Sequence, residues 1–135
     1  MSRAALRFRI DFGPQLAVGP GKIALLESIR RSGSLSQAAR ELKMSYRRAW
    51  LLLDSLNGAF AQPVVQTNTG GRRGGGSQLT ALGEKLIRTY RDFEATAQRR
   101  ATRDFKGLAG QLRASHPRRT VTAAAPLRRL SDRAR

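Results

Sequence analysis

Two short helical patterns joined by only three residues constrain this chain more than any other feature. Leu35, Ala38, Ala39 and Leu42 recur at i, i+3, i+4 and i+7, with Ser34 placed as an N-cap. Ser36, Gln37, Arg40 and Glu41 cover the rest of that helix. Lys43-Met44-Ser45 follows, a connection too short for a loop. A second helix is expected from Tyr46 to about Asn57, with Ser45 as N-cap and Gly58 as stop. Helices joined this tightly have to cross, and Ala38-Ala39 supplies small residues at the crossing. The apolar face of the second helix is read as Tyr46, Trp50, Leu53 and Leu56 or Asn57, with Trp50 as packing. Leu51 and Leu52 widen the stripe and predict burial on more than one side.

The remaining patterns fit around this pair. Leu6, Phe8, Ile10 and Phe12 alternate with Arg7, Arg9 and Asp11, the period of a half-buried strand, and Gly13-Pro14 ends it. Gly19-Pro20-Gly21 precedes a helix carrying Ile23, Leu25, Leu26 and Ile29, with Arg30 and Arg31 in its last turn and Gly33 as stop. Gln62–Thr67 has strand character, residues 70–76 are glycine-rich, and Gln78–Thr80 can return as a second strand of a long hairpin. The longest helical pattern runs from about Ala81 past Gln98, with Leu82, Leu86, Tyr90 and Phe93 on one stripe. From Gly107 the periodicity is lost among Arg, Ala, Ser, Thr and two prolines, the composition of a disordered basic tail. The expected organisation is one domain over residues 1–106 and a tail over 107–135. The fold class is mainly α with a small β-hairpin wing, a winged helix-turn-helix with a long C-terminal helix.

Charge narrows the function. The 135 residues hold 26 Lys and Arg against 9 Asp and Glu, a formal net charge of +17. Such a chain calls for a polyanionic partner, and nucleic acid is the first reading, ahead of an anionic membrane or an acidic protein. All but four of the basic residues are arginine, the side chain that forks onto phosphate and guanine. There is no cysteine, and the single histidine, His116, lies in the basic tail. Thiolate chemistry, disulfides and a Ser-His-Asp arrangement are therefore excluded, and neither paired carboxylates nor a metal cluster supports catalysis. The expectation is no enzyme, no cofactor and no metal. No run approaches the ~18–20 apolar residues of a membrane span, and no signal-peptide pattern follows the N-terminal arginine, so a cytoplasmic protein is expected.

In a helix-turn-helix the first helix braces the second, which lies in the major groove of double-stranded DNA. Arg47 and Arg48 are the candidates for base edges, through bidentate bonds to guanine, with Ser45 and Tyr46 in support. Ser34, Ser36 and Gln37, at the start of the bracing helix, would meet phosphate. The bland reading of Arg47 and Arg48 is a solvated cationic face. The glycine-rich stretch lacks the Lys-Ser or Lys-Thr of a phosphate-binding loop. A flexible linker is one reading of it. The favoured one is a wing whose Arg72 and Arg73 lie on phosphate or in the minor groove. The stripe Leu82, Leu86, Tyr90 and Phe93 suits a homodimer interface, the alternative being a helix folded back on its own domain. No small-molecule site is evident. The competing functional reading is a non-specific nucleoid-associated or RNA-binding protein, against which the low aromatic content (6%) and its periodic placement argue. An enzyme subunit or membrane-bound adaptor is the third.

These residues resemble the N-terminal DNA-binding domain of the ModE family, the bacterial molybdate-responsive transcriptional regulators. More weakly, they resemble the winged helix-turn-helix domains of LysR-type regulators. The resemblance rests on Ser34-Leu35-Ser36-Gln37-Ala38-Ala39, on Met44-Ser45-Tyr46-Arg47-Arg48-Ala49-Trp50, and on residues 70–76 followed by Leu79-Thr80 and Gly83. It covers about residues 6–100. It implies a winged helix-turn-helix, a homodimer joined partly through the long C-terminal helix, and control of genes for molybdate uptake or molybdenum enzymes. Family members continue into oxyanion-binding domains where this chain has its Arg-rich stretch. The expectation is accordingly a regulator without its own effector domain.

Overall fold

The computed structural model describes residues 4–68 and 76–113. Within them, local sequence signals set most of the helix boundaries. Helix α1 (Pro20–Ser32) starts on a proline in its first turn and ends at Gly33, whose φ of 72° is left-handed and whose N–H bonds Ile29 O at 2.7 Å. Its Ile23, Leu25, Leu26 and Ile29 are completely buried and form the centre of the core. Helix α2 (Leu35–Glu41) is capped by Ser34, whose Oγ accepts from Gln37 N–H at 3.2 Å. Helix α3 (Tyr46–Ala59) is capped by Ser45, whose Oγ accepts from Arg48 N–H at 3.1 Å. Between them Lys43 takes the left-handed conformation, φ 55°, a position that favours glycine. Met44 N–H closes the turn on Ala39 O at 3.0 Å.

Four boundaries differ from the reading of the sequence. Only Ile10–Phe12 of the alternating N-terminal segment is a strand, β1. It pairs antiparallel with an unanticipated strand β2 (Leu16–Val18), so Gly13-Pro14 lies in a hairpin turn instead of ending an isolated strand. Gly58 does not stop α3. A glycine weakens a helix without breaking it, and the helix continues to Ala59, with Phe60 leaving it in an extended conformation. The wing strands are β3 (Val65–Asn68) and β4 (Gly76–Leu79), paired antiparallel from Val65↔Leu79 to Asn68↔Gly76. Thr80 belongs to neither, because its Oγ1 caps the next helix by accepting from Gly83 N–H at 3.1 Å. The fourth difference is a further helical turn, α5 (Lys106–Ala109), where the tail was expected to begin. Phe105, Leu108 and Leu112 extend helical apolar spacing through that segment.

Helix α4 (Ala81–Asp104) has 24 residues, about 36 Å of helix. Its first half packs on the domain through Ile87 and Tyr90, and Arg30 of α1 meets Glu84 at 2.9 Å. From Tyr90 onward it is lined by the extended chain before β1. Tyr90 Oη donates to Phe8 O at 3.0 Å, Gln98 Nε2 donates to Ala4 O at 2.7 Å, and Leu6 N–H donates to Gln98 Oε1 at 2.7 Å. The spacing agrees on both sides, since eight helical residues and four extended ones each advance about 12–13 Å. Of the alternation read over residues 6–12, Leu6, Phe8 and Ile10 are turned inward while Phe12 is half exposed, and the partner is helix α4 over the first residues and β2 from Ile10 on.

Candidate nucleic-acid interface

The crossing of α2 and α3 decides which face of α3 is free. Ala38 and Ala39 of α2 and Ala49 of α3 are buried, with Leu53 and Leu56 continuing the α3 face at i+4 and i+7. Small residues buried on both helices suit a close crossing, in which a side chain as large as an indole has no place. Burying Ala49, Leu53 and Leu56 turns Arg47, Trp50, Leu51 and Asp54 to the surface. This corrects the expected apolar face: Tyr46 is 55% exposed and Trp50 48%. Asn57, read as an alternative core position, does something else. Its Oδ1 accepts from Val64 N–H at 2.8 Å and Val65 N–H at 3.2 Å, and its Nδ2 donates to Val65 O at 3.2 Å. One amide thus fixes the start of the wing to the second helix of the pair. The signal in the sequence was an amide late in a helix and a few residues before a strand, but periodicity assigned it to packing.

The wing is held from two further directions. Thr80 N–H bonds Val64 O at 3.0 Å and Thr80 Oγ1 donates to Pro63 O at 2.7 Å. Ser77 N–H bonds Gly33 O at 2.8 Å, which ties β4 to the turn before α2. Between the wing and α3 lies an open groove of roughly 380 Å³, whose walls include Ser34, Ser36, Tyr46, Trp50, Asn68 and Ser77.

The side chains named as site candidates fall as follows. Ser45, Tyr46, Arg47 and Arg48 form the exposed first turn of α3, and Ser36 and Gln37 are exposed at the first turn of α2. Among the described residues, neither Arg47 nor Arg48 is in an ion pair. The cap geometry uses Ser34 Oγ and Gln37 N–H on each other, which removes that N–H from the groups expected to meet phosphate. Arg72 and Arg73 lie outside the described residues, as does the chain beyond Arg113. Other arginines serve the fold. Arg91 contacts Glu27 and Glu94 through three nitrogen–oxygen contacts. The Arg91 hydrogen bonds hold the Glu27 carboxyl below its usual range, against the opposing effect of burial.

The stripe assigned to a homodimer interface is mostly used within the chain. Tyr90 is 2% exposed, stacks on Phe8 with ring centroids 4.6 Å apart, and donates its hydroxyl to Phe8 O. Burial raises the pKa of that hydroxyl. Leu82 and Leu86 pack partly buried against the core. Of the four, only Phe93 remains well exposed, and the exposed apolar residues continue along Phe105, Leu108 and Leu112. The core-facing half of α4 extends further along the helix than the periodicity suggested, because the N-terminal segment covers it. Among the described residues, no group of three or more potential metal ligands is brought together, and no helix is long and apolar enough to cross a membrane.

A bracing helix, an exposed second helix starting on Ser-Tyr-Arg-Arg, and a hairpin packed beside it define a winged helix-turn-helix domain. Residues 21–84 match the family model of the bacterial regulatory helix-turn-helix proteins, lysR family. The fold is shared with the protein in a crystal structure of a CbnR_DBD–DNA complex, with a TM-score of 0.51 at 18% identity over 65% of this chain and 95% of that one. Within this class, the chain is similar in sequence to ModE proteins. It is 37% identical over 97 residues to the molybdenum transport protein ModE of Azotobacter vinelandii, covering 72% of this chain and 36% of that protein. It is 35% identical over 98 residues to the transcriptional regulator ModE of Haemophilus influenzae, covering 73% and 38%. The chain therefore spans little more than a third of the length of these relatives.

Proposed function

We propose that this chain binds double-stranded DNA sequence-specifically as part of a transcriptional regulator of the ModE kind, linked to molybdenum uptake or molybdenum enzymes, and performs no catalysis. The observation that carries the reading is the first turn of α3, where Ser45, Tyr46, Arg47 and Arg48 stand exposed on a helix braced by an alanine seam. A recognition helix needs this combination of a rigidly held back and a cationic, hydrogen-bonding front. Arg47 and Arg48 read base edges, Ser45 and Tyr46 support them, and Ser36 and Gln37 meet the phosphates on the bracing side. The wing lies along the backbone with Arg72 and Arg73. Residues 1–106 act as the DNA-binding domain, and the basic stretch from residue 107 adds affinity without sequence preference. Two copies associate through the far half of α4 and the helical turn that follows it, where Phe93, Phe105 and Leu108 are exposed.

Selection of bound duplexes from a random pool at near-physiological salt tests the reading, with a repeat in the presence of molybdate. The expected result is an enriched two-fold motif with half-sites one helical turn apart, about 10–10.5 base pairs, or a multiple of it. The net charge of +17 favours a second reading, non-specific binding to nucleic acid. Strong binding without an enriched motif, collapsing as salt rises, would establish it and refute the first.

A further inference from the structure

Trp50 and Leu51 are large apolar residues, each about half exposed, side by side on the free face of α3. Trp50 stands one turn beyond Arg47 and flanks the buried face next to Leu53, and Leu51 stands one turn beyond Arg48 on the side opposite Ala49, Leu53 and Leu56. Solvent exposure of an indole and an isobutyl group together has no structural use here, since neither closes the core. Trp50 also lines the groove between α3 and the wing, together with Tyr46. Asp54 stands at the same groove, one turn further along the helix. Its carboxylate repels phosphate, so a nucleic-acid occupant at this point presents base edges and not backbone. The one apolar feature on a base-pair edge in the major groove is the C5 methyl of thymine.

We infer that Trp50, with Leu51 beside it, is an apolar specificity determinant that packs against thymine methyl groups in the major groove, next to the base pairs read by the arginines. The inference rests on the reading of α3 as the recognition helix. It makes the preferred site a guanine contacted by Arg47 or Arg48 and flanked on the Trp50 side by thymine. Tyr46 borders the same groove.

Trp50 is the single tryptophan of the chain, so its fluorescence reports on this position without a label. The experiment uses the full chain and a dye-labelled duplex carrying the motif enriched from the random pool. Anisotropy of the dye reports binding, while Trp50 emission and its quenching by acrylamide report the environment of the indole. Each thymine in the duplex is then replaced singly by deoxyuridine, for the wild type and for Trp50→Ala. The expected result is protection of Trp50 from acrylamide on binding, and about a fourfold loss of affinity at one or two thymine positions. That factor corresponds to ~0.8 kcal/mol for withdrawing one methyl-sized group from water. In Trp50→Ala the penalty should vanish. Binding by anisotropy with unchanged Trp50 quenching, or a deoxyuridine penalty equal in wild type and Trp50→Ala, overturns the inference and leaves DNA recognition by α3 standing. No binding of any duplex overturns the underlying reading.

Discussion

Gly83 sits in the first turn of α4 against the backbone of Val64, and Gly83→Ala tests whether that contact positions the wing. A Cβ built at Gly83 would overlap Val64 O and fall 3.2 Å from Val64 C. Neither atom can yield cheaply. Val64 O already accepts from Thr80 N–H, and Val64 N–H is held by Asn57 Oδ1. Helix propensity alone would favour alanine by about 0.8–1.0 kcal/mol. Against that stand overpacking, typically 1–3 kcal/mol, and disturbance of the Thr80–Val64 hydrogen bond, about 1 kcal/mol. The balance is a destabilisation of roughly 1–3 kcal/mol. With an urea m value in the usual range of about 1–3 kcal/mol/M, the midpoint should fall by roughly 1 M. Gly58→Ala is the matched control. Gly58 lies near the end of α3 with nothing within 4 Å of a built Cβ, so alanine there should raise stability by up to about 1 kcal/mol. Urea unfolding of both variants decides the matter. A Gly83→Ala midpoint at or above wild type, or a shift matching that of Gly58→Ala, would refute the close contact.

Three further outcomes follow from the same geometry. Arg48→Ala should cost about 1–3 kcal/mol at the selected site and relax sequence preference there, measured as the ratio of affinities for selected and random duplexes; equal losses on both would remove Arg48 from base reading. Tyr90→Phe keeps the ring stacked on Phe8 but leaves Phe8 O without its donor, so unfolding should show a loss of about 0.5–1.5 kcal/mol, and an unchanged midpoint would mean that this hydrogen bond contributes nothing to stability. The Glu27 carboxyl titrates below its ordinary 4.5 because Arg91 hydrogen-bonds its charged form. Its contribution is therefore complete above about pH 4.5 and is lost as pH falls through the lowered value. With Arg91 40% exposed, solvent screening keeps that contribution on the order of 1 kcal/mol or less. Stability curves of wild type and Glu27→Gln should converge as pH falls below 4.5, and parallel curves would deny the linkage.

The sequence by itself determined the helix pair, because everything that specifies it is local. Ser34 and Ser45 cap their own helices within three residues, Gly33 takes the left-handed turn, and the three residues between α2 and α3 force a crossing that Ala38 and Ala39 can accept. Thr80 and the long periodic pattern likewise announced α4, and the exposed arginines at the start of α3 were legible from their place beside the cap. Only the tertiary structure decided which faces are used. A wide apolar stripe allows several rotations of α3, and the rotation adopted is the one that buries Ala49 and leaves Trp50 half exposed. Periodicity cannot see that choice, since it depends on the space left by another helix. The same holds for Tyr90, whose ring was available to a second copy until Phe8, 82 residues away in sequence, stacked on it. Asn57 and Gly83 are the clearest cases: an amide and a missing side chain carry no apolar signal, yet their contacts with Val64 set where the wing stands beside the helix that faces DNA in our reading.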